Sequence, residues 1–108
     1  MTTTQLLQEI VRRIRRVSDP EKIILFGSRA KGTANDSSDY DFLVVGKSGK
    51  SRSRCSAPLY TALATLPVEV DLMVYSPEEI KEWSNVPNAF VTTAVREGKL
   101  LYKKRNEK

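Results

Sequence analysis

The chain has 108 residues, 40% of them hydrophobic and 29% charged, which suits a single domain over residues 1–108 with one small core and room for one ligand cleft. It contains no histidine and one cysteine, Cys55. Imidazole bases, imidazole metal ligands, an intrachain disulfide and a thiolate cluster are therefore excluded, which leaves carboxylates as the natural metal-binding groups.

The net charge of +5 is concentrated in three clusters: Arg12, Arg13, Arg15 and Arg16; Lys47, Lys50, Arg52 and Arg54; Lys103, Lys104, Arg105 and Lys108. Each is either a solvated basic face or a surface that attracts polyanions. Residues 1–8 lack a basic segment followed by an apolar run, and no stretch approaches the length of a membrane span. The expectation is a cytoplasmic protein with no membrane partner.

Leu6, Leu7, Ile10, Val11, Ile14 and Val17 recur with helical spacing, which predicts an amphipathic helix over residues 4–17. Thr2 and Gln5 have capping-box spacing at its start, and Ser18-Asp19-Pro20 ends it. Residues 23–26, Ile-Ile-Leu-Phe, form a short strand that stops at Gly27. Residues 40–45 and 68–75 are two further strands. Between them, the polar and basic stretch 46–56 suggests a mobile loop, followed by a helical pattern at Leu59, Ala62, Leu63 and Leu66. Ser76-Pro77-Glu78-Glu79 has the N-cap, first-turn proline and capping-box glutamate of a helix start. Residues 88–97 suggest a last helix closed by Gly98, and 99–102 a short final strand. The fold class that follows is α+β (α/β), a small sheet with helices packed on one face and the other face partly open.

Chemistry concentrates between Gly27 and Asp41. A glycine at a strand end lets the backbone turn tightly and lets phosphate oxygens approach its amides, and Ser28 adds a hydroxyl at the same place. Arg29 and Lys31, if they open a short helix, add positive charge and free N–H groups for an anion. Asp39 and Asp41 are two residues apart on a strand, so their carboxylates share a face and call for a bridging cation, magnesium being the obvious one. Asp71 is a third acid, set in a strand with apolar residues at alternate positions. If that strand lies beside the Asp41 strand, the three carboxylates can hold two metals for an in-line displacement at phosphorus.

Gly27-Ser28, ten intervening residues and Asp39-Tyr40-Asp41 resemble the signature of the DNA polymerase β-like nucleotidyltransferases. Asp71 falls where such proteins carry a third acid. The resemblance extends almost to the end of the chain and is strongest to the minimal nucleotidyltransferases, often the antitoxin half of a pair with a HEPN-domain ribonuclease toxin. It implies a mixed sheet of the polymerase β palm type and transfer of a nucleoside monophosphate, usually AMP from ATP, to a hydroxyl with release of pyrophosphate. It further implies that Asp39 and Asp41 bind two magnesium ions and that Gly27 and Ser28 hold the triphosphate. Asp71 would ligate the metal near the attacking hydroxyl and help to remove its proton. In the antitoxin pairs that hydroxyl is a tyrosine on the toxin.

Other readings compete with these. A non-catalytic antitoxin of the same fold fits the short chain and its basic clusters. A basic nucleic-acid-binding module rests on charge alone. Gly46-Lys47-Ser48 and Gly49-Lys50-Ser51 imitate the end of a P-loop, but the glycine required five positions earlier is Asp41 in one case and Val44 in the other. Trp83, Phe90 and Tyr60 lie in helical patterns without aromatic neighbours, which suits core or partner-facing residues better than base-stacking platforms.

Overall fold

Local hydrogen bonds set the first helix. The computed structural model describes residues 2–27, 39–46, 52–83 and 96–104. In it the Gln5 N–H donates to Thr2 Oγ1 at 3.1 Å and the Thr2 N–H donates to Gln5 Oε1 at 2.9 Å. This reciprocal cap satisfies donors that a helix start leaves open. The helix, α1, runs Thr3–Val17 and stops where the Ser18 N–H donates to the Ile14 carbonyl from an extended backbone. Its apolar stripe buries Leu6, Ile10 and Ile14.

Four strands form one mixed sheet: β1 (Lys22–Phe26), β2 (Tyr40–Val45), β3 (Val70–Tyr75) and β4 (Lys99–Lys103), in the order β3-β2-β1-β4. β1 is antiparallel to β2 and β4, and β2 is parallel to β3. A parallel pair needs a crossover between its strands, and helix α2 (Arg52–Leu63) lies in the one that joins β2 to β3. Strand alternation then divides the core in two. Tyr40, Phe42 and Val44 pack with Leu6, Ile10 and Ile14 of α1 and with Leu59 and Leu63 of α2. On the opposite face Ile24, Leu43 and Val45 form a smaller cluster, against which Ile80 of helix α3 (Pro77–Trp83) is packed. Ser76 caps α3 as its sequence predicts: the Glu79 N–H donates to Ser76 Oγ at 3.1 Å and the Ser76 N–H to Glu79 Oε1 at 3.0 Å.

The loop expected over residues 46–56 is shorter than its composition suggested, because α2 begins at Arg52. A helix propagates readily from a turn that tertiary packing already holds, and Leu59 and Leu63 are buried in the core. The helix extends upstream from them through Pro58, although a proline there lacks the N–H of one helical bond. Residues 47–51 lie outside the described residues. Most of the helix expected over 88–97 does so too; Arg96 and Glu97 are helical and lead through Gly98 into β4.

The cluster of arginines on α1 does not act as a unit. Arg13 reaches the C-terminal end of α2, donating to the Ala62 carbonyl at 3.0 Å and to Thr65 Oγ1 at 2.7 Å, while its Nε donates to Glu9 at 3.1 Å. A guanidinium suits a helix C-terminus, where carbonyls lack intrahelical donors. Arg12 also pairs with Glu9, and Arg15 lies over the Tyr102 ring at 4.5 Å. Among the described residues no helix is long and apolar enough to cross a membrane.

Candidate active site

β1 and β2 are paired so that Phe26 stands opposite Asp41, and the chain leaves β1 at Gly27 with φ +76°. Side chains other than glycine rarely adopt that conformation. A second constraint acts at the same place: a Cβ built on Gly27 would lie 2.6 Å from Asp41 Oδ2. The Asp41 carboxylate therefore rests directly over the Gly27 backbone, in space that only glycine leaves open.

Asp41 alternates with Tyr40 and Phe42, so it projects from the face opposite α1 and α2. On the neighbouring parallel strand Asp71 is its direct register partner. Asp39 is exposed and immediately precedes β2. Burial raises the Asp41 carboxyl pKa above its ordinary value, and the negative charges of Asp71 and Asp39 raise it further. A desolvated carboxylate beside two others is a site that favours a cation.

Asp71 has a partner that the sequence did not suggest. β3 is an edge strand, and in a parallel pair alternate residues turn their backbone groups away from the neighbouring strand. The Leu72 N–H points to that open side and donates to the Tyr60 hydroxyl at 2.8 Å. The same hydroxyl has Asp71 Oδ1 at 3.2 Å and the Leu72 carbonyl at 3.4 Å as acceptors for its proton. Tyr60 is not a core residue: it is exposed, and its hydroxyl closes the sheet edge beside an acid. Its signal in the sequence is only its place next to Leu59, whose burial fixes which way α2 faces.

The structure thus brings together Gly27, Asp41 and Asp71, with Asp39 adjoining in the chain. Ser28, Arg29 and Lys31 lie outside the described residues, as does Phe90. Among the described residues no three acids already converge as a finished metal-ligand set. The donor chemistry nonetheless fits a hard divalent cation, because every candidate group is a carboxylate and the negative charges of Asp71 and Asp39 both act on Asp41.

The family model for polymerase beta nucleotidyltransferases matches residues 8–107. The chain belongs to this family. The nucleotidyltransferase fold also recurs in solved structures. An inferred nucleotidyltransferase from Sulfolobus solfataricus superposes with a TM-score of 0.65 at 22% identity, covering 94% of this chain and 83% of that one. A toxin–antitoxin structure with AMP-PNP superposes with a TM-score of 0.57, also at 22% identity, covering 92% of this chain and 74% of that one. At that identity the likeness is one of fold. No curated protein matches. In this nucleotidyltransferase, then, the end of β1, the start of β2 and the start of β3 converge at one end of the sheet, where Asp41 and Asp71 share a register position.

Proposed function

We propose that this nucleotidyltransferase transfers a nucleoside monophosphate, AMP from ATP, to a hydroxyl on a partner protein, and that it serves as the antitoxin of a HEPN ribonuclease toxin in the cytoplasm. The observation that carries this reading is the register pairing of Asp41 with Asp71 beside Gly27. The family match supports transfer chemistry in general, and the toxin–antitoxin structure supports the choice of partner.

Gly27 and Ser28 hold the triphosphate through their backbone and hydroxyl donors, and Arg29 and Lys31 contribute positive charge to it. Asp39, Asp41 and Asp71 would hold two magnesium ions, which when bound neutralise charge on the phosphates and lower the pKa of the attacking hydroxyl. The acceptor oxygen forms a bond to the α-phosphorus while the α–β bridging P–O bond breaks. Pyrophosphate leaves with that bridging oxygen, and Asp71 takes the acceptor's proton. Tyr60, hydrogen-bonded to Asp71, orients that carboxylate.

The test is incubation with labelled ATP, magnesium and the candidate toxin. Label should pass to the toxin, and Asp39→Asn or Asp41→Asn should abolish the transfer. Equal labelling by these variants would sink the proposed site. A second reading, a non-catalytic antitoxin of the same fold, draws on the same toxin–antitoxin neighbour. It predicts that neutralisation of the toxin survives loss of Asp39 and Asp41.

A further inference from the structure

A groove of about 730 Å³ runs between α1 and β4. Its apolar floor is formed by Leu7 and Val11 of α1 and Leu101 and Tyr102 of β4, all partly buried against the core. Its rim is basic. Arg15 lies over the Tyr102 ring with its Cζ 4.5 Å from the centroid, a cation–π contact that leaves guanidinium N–H donors for an incoming acceptor. Arg16 and Lys99 are exposed and make no ion pair with any described residue. Two acids nearby are already engaged: Asp19 on the rim by Lys104 at 2.6 Å, and Glu9 by Arg12 and Arg13. β4 is an edge strand, with no described strand on its outer side.

We propose that this groove receives an acidic, amphipathic segment of a partner protein, with apolar side chains on Leu7, Val11 and Leu101 and carboxylates on Arg15, Arg16 and Lys99. Charge decides among occupants. A second copy docking through the same groove would bring two basic rims together, which costs affinity unless anions intervene. A nucleic-acid backbone would satisfy the cations but leave the apolar floor in water, whereas an amphipathic peptide uses both. The groove lies on the α1 side of the sheet, and Asp41 projects from the other side. Occupancy therefore does not depend on the transfer reaction, and the proposal stands apart from it.

The experiment pans short random peptides displayed on phage against the full chain, then measures binding of the enriched peptides in solution. Enriched peptides should be acidic with interspersed apolar residues. Their affinity should fall by roughly tenfold or more in the Arg16→Glu/Lys99→Glu protein, because each change replaces an attraction with a repulsion. Neither residue makes an ion pair with a described residue, so this variant should fold normally by circular dichroism, and Lys81→Glu, in α3 on the other side of the sheet, should leave affinity unchanged. Failure to enrich acidic peptides, or equal affinity in the double variant, would overturn the proposal. Tighter binding of an oligouridylate than of any peptide, lost in the same variant, would also overturn it and assign the groove to nucleic acid. A dimer in sedimentation that dissociates in the double variant would overturn it in favour of a second copy.

Discussion

A Cβ on Gly27 would lie 2.6 Å from Asp41 Oδ2, so the turn after β1 and the carboxylate on β2 cannot both keep their positions if residue 27 has a side chain. Gly27→Ala adds a left-handed backbone penalty of about 1–2 kcal/mol to this collision. The variant should unfold at lower denaturant concentration and lose nucleotide transfer more severely than its stability loss explains, because Asp41 is displaced. Denaturant titration alongside a transfer assay checks this. Wild-type transfer by a folded Gly27→Ala protein would show that the contact is not required.

Tyr60→Phe removes the hydroxyl that accepts from the Leu72 N–H and donates beside Asp71. The edge N–H can turn to water, so the expected loss is about 1 kcal/mol in urea unfolding. On the proposed mechanism, in which the hydroxyl orients Asp71, transfer should fall in kcat with little change in KM for ATP. A change in KM alone would contradict this role.

Arg13 and Arg16 are neighbours in sequence class but not in work. Arg13→Ala severs the bonds to Ala62 and Thr65 that tie α1 to α2, with an expected loss of about 1–3 kcal/mol for charge-assisted bonds at a half-buried site. Arg16→Ala should fall within about 0.5 kcal/mol of wild type. Equal effects in denaturant titration would refute the distinction.

Arg12, and then Arg13, hold the Glu9 carboxyl at about 2, below its ordinary 4.5. A depressed carboxyl pKa stabilises the fold fully above the unfolded value, and that contribution is lost as pH falls through the folded one. Between pH 4.5 and about 2 the wild type should therefore lose stability more steeply than Glu9→Gln. Thermal melts across that window check it, and parallel curves would contradict it.

Features written in local chemistry were legible in the sequence. The Thr2–Gln5 and Ser76–Glu79 caps, the stripe of α1 and the apolar run of β2 each depend on residues a few positions apart, and each has its expected form. The conditional step, that the Asp71 strand lies beside the Asp41 strand, depends on which strands become neighbours; pattern alone could not settle it, and the sheet places the two residues in direct register. The start of α2 at Arg52 was hidden because serine, glycine and arginine suit a loop when no packing is considered. The hydrogen bonds of Tyr60 to Asp71 and Leu72 are not legible in the sequence, because they arise only where a helix passes an open sheet edge. The groove between α1 and β4 likewise needs elements far apart in the chain.

If Asp41 and Asp71 form one reaction centre, as proposed, single-turnover transfer by Asp71→Asn should fail at the chemical step. With labelled ATP, magnesium and the candidate toxin, this variant should bind nucleotide within a few-fold of wild type while transfer falls by about 10²–10⁴-fold, the range expected for loss of a positioned base. Transfer at the wild-type rate by a folded Asp71→Asn protein would contradict it.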